Sequence, residues 1–203
     1  PGGPVYDFMD ISGTGAHAMD GYVDDGSAGP FAIGFTFNFY GVGYTNVDIS
    51  SNGYLTFGAD ATDFSNDCPL VEGGQTPPLS IFPYWDDLDP GNAGQPSDIY
   101  YYYDAANHRF IIEYFRVEHY SSGSHETFEI ILHDPLYYPT PTGDGEILVQ
   151  YLNGMAQTGA TFGIESYDEA AGIQYYFDGL YHEWAVEVTD SCALLYTTYS
   201  PDY

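Results

Sequence analysis

Between residues 31 and 39 the chain reads Phe-Ala-Ile-Gly-Phe-Thr-Phe-Asn-Phe, with an apolar side chain at every odd position. A period of two puts all five on one face of an extended strand, a pattern no helix shares. Further strand candidates lie at 46–50, 54–58, 79–84, 99–103, 109–119, 126–133, 146–152, 161–166, 173–177, 184–189 and 193–199. Turn clusters separate them, among them Asp24-Asp25-Gly26, Ser51-Asn52-Gly53, Asp89-Pro90-Gly91-Asn92, Ser121-Ser122-Gly123 and Thr142-Gly143-Asp144-Gly145. Asn52-Gly53 between two short runs is a hairpin signal. No segment carries a 3.6-residue apolar repeat over a dozen residues. The pattern therefore predicts an all-β chain of about 12 strands without substantial helix. Its architecture is an antiparallel β-sandwich, jelly-roll or Ig-like in general shape.

The 203 residues fit one such domain, 1–203, large enough to bury a core without help from a metal or disulfide. Residues 135–141 read as one long loop rather than a boundary. Charge narrows the partners. Two basic residues, Arg109 and Arg116, stand against 30 acidic ones, for a net charge of −28. Such a chain cannot displace the counterions of nucleic acid, and an anionic membrane surface repels it. No apolar run approaches the ~20 residues needed to cross a bilayer as a helix. The 22 tyrosines and 13 phenylalanines rule out an acidic disordered tail. The start, Pro1-Gly2-Gly3-Pro4, has no initiator Met and no signal-like segment, and reads as a processed chain or a fragment.

Nine segments together carry a family resemblance. They are DISGTG (10–15), DDGSAGPFAIGFTFNFYG (24–41), YTNVDISSNGYLTFG (44–58), SNDCP (65–69) and IFPYWDDLDP (81–90), then RFIIEY (109–114), TFEIIL (127–132), FGIE (162–165) and GIQY (172–175). Over roughly residues 6–190 the chain resembles the nidogen-like β domains of bacterial secreted and cell-surface proteins, most specifically in SSNGYLTFG and WDDL. The resemblance implies an extracellular, β-rich, non-catalytic module, and it brings no catalytic constellation to any residue here.

The residues offer several sites. Asp86, Asp87 and Asp89 form the densest acidic cluster, and Asp24 and Asp25 a second. Crowded carboxylates of this kind suit Ca²⁺, which takes six to eight oxygen ligands, and equally suit Asp-closed turns. Calcium is the one cofactor the sequence suggests. Cys68 and Cys192 read as one disulfide of an exported protein, contributing about 4–5 kcal/mol in the chain-entropy model, or as two free thiols. The six histidines, His17, His108, His119, His125, His133 and His182, do not complete a zinc motif. No nucleophile elbow is present, so the chain is not read as an enzyme. Thr76, Thr140 and Thr142, each beside proline, are candidate O-glycan sites.

The tails complete the reading. Residues 1–11 are a Pro/Gly-led arm offering Val5, Tyr6 and Phe8, and residues 193–203 a strand-like tail offering Leu194, Tyr196 and Tyr199. Either pairs within its own domain or completes the sheet of a neighbour, which would build a head-to-tail filament. The leading expectation is a structural subunit of an extracellular bacterial surface assembly, pilus-like and self-associating through strand complementation. The alternative is a calcium-dependent adhesin or carbohydrate-binding module, with glycans as partners and tyrosines as stacking surfaces.

Overall fold

A computed structural model describes residues 3–19, 23–58, 61–70, 76–91, 97–120, 122–153 and 159–200. Pro1 and Gly2 of the N-terminal arm, 201–203 of the C-terminal tail, and Asn92 and Ser121 of the expected turns lie outside these residues. Fourteen strands are present, and no helix among the described residues. They are β1 (Ala16–His17), β2 (Ser27–Phe39), β3 (Val42–Ser50), β4 (Leu55–Thr56), β5 (Ser80–Trp85), β6 (Leu88–Asp89) and β7 (Asp98–Asp104). There follow β8 (Arg109–His119), β9 (His125–His133), β10 (Ile147–Asn153), β11 (Thr161–Glu165), β12 (Gly172–Phe177), β13 (Leu180–Tyr181) and β14 (Cys192–Tyr196).

The strands form two antiparallel sheets, not a closed barrel. The first runs β1-β7-β8-β9-β10-β14, with β6 added beside the end of β8. The second runs β13-β12-β11-β5-β4-β3-β2. Their facing surfaces enclose one aromatic core. The five side chains of the 31–39 run all enter it: Ile33, Phe37 and Phe39 are buried, and Phe31 and Phe35 pack against its margin. The run is not a regular strand, however. Its register with β3 shifts between Ala32 and Phe37, and Gly34 sits at φ +94° with the Tyr103 ring 2.8 Å from where a Cβ would stand. The kink is where a ring from the opposite sheet reaches the backbone of β2, an approach only glycine permits.

One expectation about strands is corrected. Residues 184–189 form no strand. Their main chain is taken up by tyrosine hydroxyls instead: Tyr175 both accepts from Val186 N (2.9 Å) and donates to Val186 O (2.7 Å), and Tyr181 accepts from Val188 N (2.9 Å). The short β1, β6 and β13 escape a period-two reading because two residues define no period. The Cys68–Cys192 disulfide is not formed, and both thiols are free. Cys68 belongs to the loop that lays Leu70 over Tyr54, Phe82 and Trp85, outside the second sheet. Cys192 begins the edge strand of the first sheet, opposite Tyr151.

The C-terminal tail pairs within its own domain: β14 is antiparallel to β10, from Ile147 opposite Tyr196 to Tyr151 opposite Cys192. Leu194 packs at the core margin and Tyr196 is buried. Tyr199 is exposed beyond the strand, its hydroxyl donating to Pro139 O (2.7 Å).

Candidate functional site

The two most distinctive sequence segments meet. Asn52, in the turn from β3 to β4, is fully buried. Its Oδ1 accepts from Leu88 N (2.9 Å), its Nδ2 donates to Asp25 Oδ1 (3.0 Å), and its carbonyl accepts from Asp86 N (3.3 Å). One side chain thus ties the SSNG turn to both the WDDL segment and the Asp24-Asp25-Gly26 turn. Ser51 doubles the second tie, its N donating to Gly26 O and its Oγ accepting from Gly26 N, both at 2.8 Å. Gly53 (φ +77°) lies so close to the β5 backbone that a Cβ would stand 1.9 Å from Tyr84 O. The motif is therefore a clamp as well as a hairpin turn.

The clamp brings carboxylates together. Asp24, Asp25 and Asp87 each present an oxygen, all within 4.8 Å of one another. Oxygens bound to Ca²⁺ at 2.3–2.6 Å lie at such separations, so the donor set fits a hard cation. Asp24 Oδ1 is buried without a hydrogen-bond partner. Burial, and then the charge of Asp25, raise the Asp24 carboxyl above its ordinary value. Burial, then Asp25, Asp24, Asp86 and Asp89, push Asp87 up to about 6. The compensating charge is not basic protein: the chain has no lysine, Arg109 is engaged by Asp104 at 2.9 Å, and Arg116 is exposed on β8.

The acidic residues expected to act together divide. Asp87 joins Asp24 and Asp25. Asp86 turns to His119, whose Nδ1 is 3.2 Å from its Oδ2. Asp89 is buried in β6, opposite Glu118 of β8. His119 is the residue sequence reasoning passed over. Its Nε2 lies 2.9 Å from Glu126 Oε1 and 3.1 Å from the Tyr84 hydroxyl. Burial alone would lower its pKa, but hydrogen bonds and attraction from Asp86 and Glu126 outweigh that and raise it to about 9. It is a half-buried imidazolium between two carboxylates, fixing Asp86 at the rim of the acidic cluster. Only its place in a strand beside an acidic loop hinted at this.

The other histidines do not gather. His108 stacks on Tyr137 and His133 on Tyr138, His125 is beside Glu118, and His17 contacts Asp98. Among the described residues the Asp24–Asp25–Asp87 group is the one set of three metal-capable side chains. Of the candidate glycan sites, Thr76 is corrected: it is buried and its Oγ1 donates to Glu165 Oε2 at 2.6 Å. Thr142 is exposed, and Thr140 half-buried with its hydroxyl donating to Asp144 O.

A second surface lies on β12 and the segment pinned beside it. Trp184 is 82% exposed and Val186 75% exposed. Trp184 borders a shallow hollow of about 430 Å³ lined also by Ile173, Gln174, Tyr175 and His182. The hydrogen bonds of Tyr175 to Val186 hold this surface in place.

No curated protein and no solved structure matches the chain. A family model described as NIDO related matches residues 5–192, which takes in the clamp, the acidic cluster and thirteen complete strands, and the chain belongs to that NIDO-related family.

Proposed function

We propose that this chain is a non-catalytic, calcium-dependent module of an extracellular surface. The observation that carries the reading is the convergence of Asp24, Asp25 and Asp87 on one point with no basic side chain to neutralise them. Three ionised carboxylates this close repel one another, and a divalent cation turns that repulsion into a cross-link between the turn before β2 and the loop after β5. Domains of this family are typically extracellular, where calcium is plentiful. Calorimetric titration of the chelator-treated chain tests the reading. A saturable heat is expected, abolished in Asp87→Asn. Absence of heat at millimolar calcium overturns it.

A saccharide ligand is the second reading, favoured by the exposed Trp184 indole beside the amide of Gln174 and the imidazole of His182. Neutral sugars are compatible with a strongly acidic surface, and a flat aromatic face stacks on their C–H faces. Glycan binding that vanishes in Trp184→Ala would support it. An array showing no binding by the native chain would end it. Self-assembly rests on a different feature, the N-terminal arm.

A further inference from the structure

Residues 3–11 precede the first strand and join no β-ladder. They lie across the outer face of the first sheet, and that face is built to receive them. Asp7 N donates to Gln150 Oε1 (2.6 Å), and Gln150 Nε2 donates back to Asp7 O (3.0 Å). Met9 N donates to Glu129 Oε1 (3.1 Å) and Ile11 N to Glu113 Oε2 (2.8 Å). The three acceptors stand side by side on neighbouring strands, Glu113 opposite Glu129 and Glu129 opposite Gln150. Both glutamates are fully buried and Gln150 is 1% exposed. Beside this polar row runs an apolar one, where Ile11 packs on Ile111 and Ile131 with Met9 and Leu148 at its margin.

The seat reads main-chain N–H groups at alternate positions of an extended segment, with apolar side chains at the last two of them. This is the chemistry of strand recognition, supplied by side chains in place of a sheet edge. Its anchors are confined to the arm. The arm lies outside every strand and is joined to β1 through a turn in which Thr14 N and Gly15 N both donate to Ile11 O (3.0 and 2.7 Å). Any copy of this chain carries the same arm, so every contact made within one molecule can be made between two.

We infer that this seat is an exchange site, in which the arm of a second copy of this chain replaces residues 5–11 and links subunits head to tail. The contacts are conserved in the exchange, so the balance is set by concentration: a short tether holds the resident arm at an effective concentration on the order of millimolar. One arm leaving and one seat filled per subunit makes the contact heterologous, able to propagate. The acidic cluster takes no part, so the inference stands apart from the calcium reading.

Complementary full-length variants test it. Ile11→Asp spoils the arm and leaves the seat. Glu113→Ala with Gln150→Ala spoils the seat and leaves the arm. Each alone is expected to stay at the subunit mass in light scattering. Mixed at tens to hundreds of micromolar they form a 1:1 species of twice that mass, in calcium or in chelator. Met9→Asp for the arm and Gln150→Ala for the seat serve as a second pair if either first variant fails to unfold cooperatively. Folded partners that never associate up to millimolar concentration overturn the inference. So does a dimer that forms equally well when both partners carry the spoiled seat.

Discussion

The buried pair Glu113 and Glu129 makes stability depend on pH in an unusual direction. Burial pushes Glu129 up to about 8 from an ordinary 4.5, partly offset by the hydrogen bonds from Met9 N and Gln150. Burial likewise holds Glu113 up to about 7. Both are therefore protonated in the folded chain over a range where the unfolded chain has released its protons. Between pH 4.5 and about 8 the native state binds more protons than the unfolded state, so stability falls as pH rises. The contribution is intact below pH 4.5 and gone once pH has passed the raised values. Each pH unit costs about 1.4 kcal/mol per group. For Glu129 alone the loss accumulates to about 3–5 kcal/mol, the lower figure applying if the arm lifts and lets water reach the carboxylate. Glu129→Gln removes the titration while keeping an oxygen for Met9 N. Guanidinium unfolding of both proteins at pH 5, 6, 7 and 8, in chelator throughout, is the assay. The two should be nearly equal at pH 5, with the variant more stable by about 3–5 kcal/mol at pH 8, or about 10 °C in melting temperature. Parallel stability curves, or a native chain that gains on the variant as pH rises, would refute the reasoning.

Calcium affinity should run the other way with pH: Asp87, raised to about 6, must ionise to ligate, so binding weakens about fivefold between pH 6 and 5, which calorimetry reads directly. Gly53→Ala places a Cβ 1.9 Å from Tyr84 O at a φ of +77°; denaturant unfolding should show a loss of more than about 2 kcal/mol and a weakened calcium response. His119→Ala leaves Asp86 and Glu126 facing each other and should cost about 3–5 kcal/mol at pH 7. Because the histidine's pKa is raised to about 9 from 6.5, its contribution is whole below pH 6.5 and lost as pH climbs through 9, so that penalty should shrink at pH 10. Cys68, exposed and unpaired, should react with a thiol reagent in the native chain ahead of the half-buried Cys192, because access is greater.

What the sequence disclosed and what it withheld divide along a physical line. Period-two runs such as 31–39 report which face of a strand is apolar, and that suffices to bring out two sheets and their shared core. It says nothing of which loops meet, because those contacts join residues far apart in the chain. Asn52 and Gly53 were legible as a turn; their hold on Leu88 and Tyr84 was not. Acidic clusters that look equivalent in one dimension separate in three, since a two-residue strand buries Asp89 and a protonated histidine claims Asp86. The outer face of the first sheet did leave a trace. Glu113 and Glu129 are single charges inside runs otherwise apolar or aromatic on both faces, FIIEYF (110–115) and FEIIL (128–132). A strand facing water carries polar residues at alternate positions; one with Ile and Glu mixed on its outer side is covered by something that can bond the glutamate. Here the cover is the chain's own arm, held by three main-chain donors, Asp7 N, Met9 N and Ile11 N, on the side chains of Gln150, Glu129 and Glu113.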